Sequence, residues 1–275
     1  MNLPLSKFYQ ETIIVKDFLL RIHVIGVGAI GEIVLANIRT HYDRHPSGSL
    51  VDEEFETAES NELIFLVADL SVADKGDVAC IAASLANKDT ALPFLFTVND
   101  HASDQSSEKF LQRERNKLFE QIHAHVDILT AQATDAETAG EIIFERIRSI
   151  VSAIATPGSI NVGVSDFYIA MTGPWACATI KPGWGEAQGP DRAAHATATA
   201  LACPSFREHL RQADGIVCRI TGNAKYLMGR EVKQVGNEIR KYGSERCGCL
   251  CSICYDPEMQ SDVLKVDIFA SQWAA

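Results

Sequence analysis

No apolar run in this sequence is long enough to cross a membrane. The longest, Ile22–Ile30 and Leu63–Leu70, fall well short of the ~20 residues a span requires, and both carry polar residues. The N-terminal stretch MNLPLSKFYQETIIVKDF lacks the basic start and unbroken apolar core of a secretory signal. Internal repeats and low-complexity tails are also missing. Positive charge is in short supply: 25 Lys and Arg stand against 36 Asp and Glu, for a net charge of −11 and a pI near 5.2. A net negative body is not drawn to nucleic acid or to an anionic membrane surface, so neither is expected as a partner. A small anionic ligand held by backbone amides remains compatible with that charge. The expected address is cytoplasmic, and the eight Cys then read as thiols or ligands more readily than as disulfides.

What is present is a soluble composition, 47% hydrophobic and 22% charged, over 275 residues. That length suits one large domain or two ordinary ones. The first half alternates short apolar runs with helical patterns. Ile22–Gly26, Leu63–Ala68, Pro93–Val98 and Val126–Ala131 read as buried strands. Helices are expected after the first strand to about Thr40, over Lys75–Asn87 and over 107–125, with a polar loop over 41–62. Strands spaced by helices predict a parallel, doubly wound sheet, because parallel strands need long crossovers.

A long helix is expected over 136–156. Ile142, Ile143, Ile147, Ile150, Val151 and Ile154 give it one apolar face, Asp135 caps it, and Pro157-Gly158 stops it. The second half reads as a strand over 159–171, a Gly/Pro-rich loop over 182–190 and a helix over 191–211 capped by Asp191. A strand over Gly215–Thr221, a helix over 229–241 and a final pair of strands at 246–255 and 263–270 complete it.

The first chemical motif is Gly26-Val27-Gly28-Ala29-Ile30-Gly31, a G-x-G-x-x-G turn between strand and helix. Such glycines let the backbone approach a phosphate, and the helix start supplies free N–H donors. An NAD(P) site would also need an acidic residue ~20 positions on, at the end of the next strand. Asp52, Glu53 and Glu54 lie near that distance, but in a polar segment without a strand signal. Both a phosphate site and a tight turn without ligand fit the motif.

Cys247, Cys249, Cys251 and Cys254 form C-x-C-x-C-x-x-C. Alternation along a strand places the first three on one face and Cys254 on the other, which cannot wrap a tetrahedral ion. No metal is expected; small buried hydrophobes are. Cys80, Cys177, Cys203 and Cys218 read as isolated core residues. The eight His show no ligand spacing, and Trp175 and Trp184, flanking a Gly/Pro-rich segment, read as local packing or as an exposed contact surface, with packing favoured.

In order and spacing, the motifs resemble the FtsZ/tubulin family from about residue 20 to 270. Ile22–Ile38 is similar to the family's first strand, phosphate loop and helix. Val126-Asp127-Ile128-Leu129 resembles its VDTL strand, and Pro157–Asp166 its PGLINVDFAD segment. Asp191-Arg192-Ala193-Ala194 resembles its RA-x-x-A helix start, Ala202–Phe206 the SPLL that ends that helix, and Gly215–Gly222 its GVLVNITG strand.

The resemblance implies an α/β fold: a Rossmann-like nucleotide-binding sheet domain (1–135), a central helix (136–157) and a smaller α+β domain (158–275). It also implies GTP or GDP as ligand and head-to-tail self-association, or association with an FtsZ-like partner. Carried over, the nucleotide contacts fall on Gly26, Val27, Gly28, Ala29, Ile30, Gly31, Ser71 and Gly76, and the hydrolytic loop on Asn161 and Asp166. The family's terminal linker and adaptor peptide have no counterpart, so direct membrane contact is not expected.

The chemistry departs from the family pattern. The GGGTGTG position reads Asp69-Leu70-Ser71-Val72-Ala73-Asp74-Lys75-Gly76-Asp77, with one glycine left and three carboxylates where a polyphosphate would lie. The family's base-reading Asp aligns with Gly140. The catalytic Asn-x-Asp-x-x-Asp has become Asn161-Val162-Gly163-Val164-Ser165-Asp166, with one carboxylate lost. A lost acid/base group reduces rate by on the order of 10²–10⁴, so hydrolysis is expected to be weak or absent. Two alternatives stay open: an NAD(P)-dependent oxidoreductase, and an interaction module on the same fold without nucleotide.

Overall fold

A computed structural model describes residues 9–15, 20–42, 49–50, 61–68, 91–99, 124–129, 135–156, 158–173, 178–244 and 247–273. The chain forms two compact units, Met1–Ile147 and Arg148–Ala275.

In the first unit the strands are β1 (Tyr9–Val15), β2 (Leu20–Val27), β3 (Ser49–Leu50), β4 (Asn61–Ala68), β5 (Ala91–Asn99) and β6 (Ala124–Leu129). They run in the order β3-β1-β2-β4-β5-β6. β2, β4, β5 and β6 are parallel neighbours, as the alternation of strand and helix patterns predicts. β1 is an addition: it lies antiparallel to β2 and carries the two-residue β3 on its other side. β3 and the first residues of β4 therefore fall within 41–62, read from its polarity as loop. Helix α1 (Gly28–Tyr42) buries Ile30, Val34, Leu35 and Ile38, a helical spacing of apolar residues. Phe65 stacks near Phe94 and Phe96, with ring centroids 5.9 and 5.5 Å apart, at the centre of the sheet. The expected helix over Lys75–Asn87 lies outside the described residues. So does the one over 107–125, except for its last two positions, which belong to β6.

Helix α2 (Ala136–Ala155) begins in the first unit and ends in the second. Its start is capped as expected: Asp135 Oδ1 accepts from the Thr138 amide at 2.8 Å. Ile143, Ile147, Ile150, Val151 and Ile154 are all buried.

The second unit differs from its sequence reading in four places. Residues 159–171 are a three-residue strand, β7 (Gly158–Ile160), and a helix, α3 (Val164–Thr172). The β-branched and aromatic residues suggested a strand, but Phe167, Met171 and Thr172 are the buried ones, which is helical spacing. The segment 182–190, read as loop from its Gly and Pro, lies mostly in β8 (Ala178–Gln188), paired along its whole length with β11 (Val263–Trp273). Its glycines serve packing: a Cβ on Gly183 would strike Phe206, and one on Gly185 the carbonyl of Ala196. The helix over 191–211 is two, α4 (Arg192–Ala200) and α5 (Pro204–Arg211), because Pro204 can start a helix but not continue one. Asp191 occupies the N-cap position without a side-chain cap bond.

The fourth difference is topological. β10 (Gly248–Tyr255) and β11 are not partners; β9 (Gly215–Gly222) lies between them. The order is β8-β11-β9-β10-β7. One sheet face, with Ile216, Cys218, Ile220, Leu264, Val266 and Ile268, packs with α4, α5 and α6 (Gly229–Arg240) through Ala196, Phe206, Leu210, Val235 and Ile239. The other face meets the end of α2, where Ser252 Oγ donates to the Ala153 carbonyl at 3.1 Å, and α3, where Ser271 Oγ donates to the Ala170 carbonyl at 2.7 Å.

Candidate functional site

The Gly26–Gly31 turn closes β2 onto α1. A Cβ on Gly26 would lie 2.6 Å from the Gly31 carbonyl oxygen, and one on Gly31 2.6 Å from Gly26 Cα. The two glycines exist because the strand end and the helix touch there. Gly28 answers a different demand: its φ is +70°, a conformation that L side chains rarely adopt. Among the described residues a Cβ at Gly28 would meet nothing within 4 Å, and Gly28 and Ala29 are exposed while Val27 and Ile30 are buried. The turn thus presents bare backbone over open space at the start of a 15-residue helix, an arrangement that fits a phosphate group. Ser71 and Gly76, the second half of the expected cradle, lie outside the described residues.

Gly140, at the base-reading position, serves packing in α2. A Cβ there would lie 2.6 Å from Ile33 Cγ2 of α1. The helices come too close at this point for a side chain, and Glu141 beside it is exposed.

In the second unit, Asn161 and Asp166 are both exposed, Asn161 in the short segment joining β7 to α3 and Asp166 in the first turn of α3. Asp166 is the third residue of α3, and a Cβ on Gly163 would lie 3.2 Å from its Oδ2, so the carboxylate folds back beside the helix start.

Sequence reasoning missed a buried ion pair. Arg192 Nε donates to Glu231 Oε1 at 2.6 Å, and its Nη2 to Oε2 at 3.0 Å. The same guanidinium donates to the carbonyls of Ser261 (2.8 Å), Val263 (3.2 Å) and Tyr226 (2.8 Å). Glu231 Oε2 also accepts from the Met228 amide at 2.8 Å. One side chain therefore ties the start of α4 to the start of α6 and to two connecting segments. Burial works against ionising Glu231, but the bonds from Arg192 and the Met228 amide outweigh it and hold the carboxyl below its usual range. A signal was available: Arg192 is a cation in the first turn of a helix, the end that disfavours positive charge, so it calls for a carboxylate partner. A second ion pair, this one across strands, joins Arg219 of β9 to Asp267 of β11 at 3.3 Å, with Ser149 of α2 accepting from the same Arg nitrogen.

The cysteines follow the expected alternation. Cys247, Cys249 and Cys251 are half-buried against the core beneath α6, and Cys254 is buried on the opposite face, its thiol donating to the Ser152 carbonyl at 3.4 Å. Cys218 is buried but not isolated, since it stands opposite Cys251 in the β9–β10 ladder. Cys203 is half-buried at the start of α5, and Cys80 and Cys177 lie outside the described residues. Among the described residues, no group of three or more His, Cys, Asp or Glu is placed to hold a metal. No described helix is long and apolar enough to cross a membrane. Trp184 is half-buried in β8, and Trp175 is outside the described residues.

Residues 178–272 match the FtsZ family, C-terminal domain. The chain is similar to the cell division protein FtsZ of Azotobacter vinelandii, with 31% identity over 134 residues, 48% of this chain and 33% of that protein. It is also similar to FtsZ of Pseudomonas putida, with 29% identity over 168 residues, 61% of this chain and 40% of that protein. The matches thus span about a third to two fifths of these relatives. Among solved structures, an empty FtsZ dimer from M. jannaschii superposes with a TM-score of 0.63 at 18% identity, covering 77% of this chain and 63% of that one. A GTPγS-bound CetZ2 protofilament from Haloferax volcanii does so with a TM-score of 0.56 at 13% identity, covering 87% and 70%. Residues 178–272 are thus an FtsZ-type C-terminal domain, in a chain that has the tubulin/FtsZ-like fold.

Proposed function

We propose that this protein is an FtsZ/tubulin-like cytoskeletal subunit that assembles head to tail, with itself or with an FtsZ-like partner. Nucleotide binding is weak or dispensable, and hydrolysis is weak or absent. The observation that carries this reading is the Gly26–Gly31 turn, with Gly28 at φ +70° and open space above it, in the same chain as an FtsZ-type C-terminal domain. In this reading, exposed backbone at Gly28 and Ala29 holds a phosphate of GTP or GDP. Val27 and Ile30 support the turn from the core, and Ser71 and Gly76 contribute what remains of a second phosphate loop. Asn161 and Asp166 are offered to the nucleotide of the next subunit, where they orient water, a task that is mostly positioning and electrostatics. The replacement of a glycine-rich loop by one with Asp69, Asp74 and Asp77 is why affinity is low.

The test is assembly. Concentrated protein should raise light scattering, and give filaments by electron microscopy, with GTP or without it. A melting-point comparison with GTP, GDP, NAD and NADP identifies the ligand, because one that binds only the folded state raises the melting temperature. Stabilisation by NAD but not GTP would point to the oxidoreductase alternative. No shift with any nucleotide, together with co-sedimentation with an FtsZ filament, would leave the interaction module. Absence of assembly under all conditions removes the filament reading.

A further inference from the structure

Eight cysteines in a chain with no metal group among its described residues call for an account, and four of them, Cys218, Cys249, Cys251 and Cys254, fall on two adjacent strands. We propose that Cys218 and Cys251 form a redox-active dithiol that closes to a disulfide under a two-electron oxidant of the peroxide class.

The geometry singles out this pair. Cys218 of β9 and Cys251 of β10 are direct partners in the parallel ladder, on the sheet face covered by α6. Paired strands lie about 4.8 Å apart, within the ~4.4–6.8 Å between Cα atoms that a disulfide spans. Cys249 is the other neighbour of Cys251, two residues along the same strand. At about 3.3 Å per residue it stands ~6.6 Å away, at the limit of that range and with its side chain parallel rather than converging. Cys254 lies on the opposite face. Of the thiols on β10, Cys251 alone therefore has a partner across the ladder.

The two sulfurs also differ in a useful way. Cys251 is half-buried and Cys218 fully buried. A hydrogen bond to the Cys251 sulfur, together with burial, holds the Cys218 thiol well above the ordinary range; the same bond draws Cys251 below it, against burial, which acts the other way. By contrast, burial pushes Cys249 up, and Cys247 up to about 11. The thiolate is the nucleophile, so within this pair Cys251 reacts first.

Its sulfur attacks a peroxide oxygen. An S–O bond forms and the O–O bond breaks. The departing hydroxide, with the thiol proton, becomes water. The Cys218 sulfur then attacks the Cys251 sulfenic sulfur, the S–S bond forms, the S–O bond breaks, and a second water leaves with the Cys218 proton. Two thiols and one hydrogen peroxide yield one disulfide and two waters, the sulfurs giving up two electrons. Closure joins strands that are already paired, so it requires no rearrangement of the sheet, and a thiol reductant reverses it.

Graded hydrogen peroxide on the native protein, followed by alkylation, proteolysis and mass spectrometry, tests this. The expected first product has two fewer alkylatable thiols out of eight and a linked peptide pair containing Cys218 and Cys251, about 2 Da lighter than the reduced pair. Dithiothreitol restores both thiols. C249S should leave that product unchanged. C218A should abolish it and leave Cys251 trapped by dimedone as the sulfenic acid. A first product linking Cys249 to Cys251, oxidation that begins at Cys203 or another unpaired thiol, or no thiol loss before unfolding would each overturn the proposal. The wild-type peptide map decides the matter even if C218A does not fold.

Discussion

The two units handle their polar groups in opposite ways. In the second, the guanidinium of Arg192 is buried, and its nitrogens are matched by Glu231 and by the carbonyls of Tyr226, Ser261 and Val263. In the first, Gly28 and Ala29 are exposed, and the space above Gly28 is open. One arrangement is complete within the chain, whereas the other has room for something outside it. The family match over residues 178–272 falls in the unit that holds the Arg192 clamp. Asp69, Asp74 and Asp77, at the position of the proposed second phosphate loop, fall in the other.

The largest effect that could break this comparison is removal of the buried cation. Arg192→Ala leaves Glu231 buried without its partner and withdraws a donor from three carbonyls. Breaking such a pair costs about 3–5 kcal/mol, which urea unfolding will read as a large drop in midpoint. The pH dependence follows from the same pair. The folded-state pKa of Glu231 is depressed, so its contribution is fully present above the unfolded value of about 4.3. It is lost as pH falls through the lower folded value. Stability of the wild type should fall in that acid window, and the part of the fall due to Glu231 should shrink in Arg192→Ala. A change below about 1 kcal/mol would mean the clamp is not what completes the second unit.

The glycine turn sharpens the contrast, because its three glycines answer different needs. Gly31→Val forces a side chain against the Gly26 backbone, with about 1–3 kcal/mol lost to overpacking. Gly28→Ala has space but the wrong φ, and should cost about 1–2 kcal/mol. If the turn binds phosphate, Gly28→Ala also weakens the melting-point shift produced by GTP beyond what its own destabilisation explains. If that shift is unchanged, the turn is a packing device like the clamp, and the contrast between the units fails.

How much of this was legible beforehand depended on what each residue answers to. β2, β4 and β5 were readable because a buried parallel strand is a near-continuous apolar run. β8 was not, since its Gly183 and Gly185 carry the composition of a loop while serving the close approach of α4 and α5. α3 was read as strand because Phe167, Tyr168 and Ile169 favour strands locally, and only packing shows that Phe167 and Met171 share a buried face. The glycines of the turn were visible as a motif, but their division into two packing residues and one with positive φ needed coordinates. Arg192 was quoted as part of a family motif and its role missed, because its partner is 39 residues away.

A smaller effect tests whether Gly140 belongs to packing or to a binding site. Gly140→Ala brings a methyl to 2.6 Å from Ile33 Cγ2, at a cost of about 1 kcal/mol or more. Ile33→Ala removes the atom in the way. The double variant should therefore be less destabilised than the sum of the singles, by about 0.5 kcal/mol or more in a double-mutant cycle. Strict additivity would separate Gly140 from Ile33 and reopen the position to a role in ligand recognition.

The smallest effect compares one aspartate from each unit at the same kind of position. Asp135 and Asp191 both precede a helix, and both read from sequence as caps. Asp135 makes the bond, to the Thr138 amide at 2.8 Å, whereas Asp191 makes no side-chain cap bond. Asp135→Ala should therefore lower stability by about 1 kcal/mol, with Asp191→Ala close to neutral, both measured by urea midpoint. The reason lies in the clamp. α4 is fixed at its first residue by Arg192 and its buried partners, so its start does not depend on a cap. An equal loss at both positions would mean that the clamp leaves the first turn of α4 free to fray, and that the second unit is less self-sufficient than its bonding suggests.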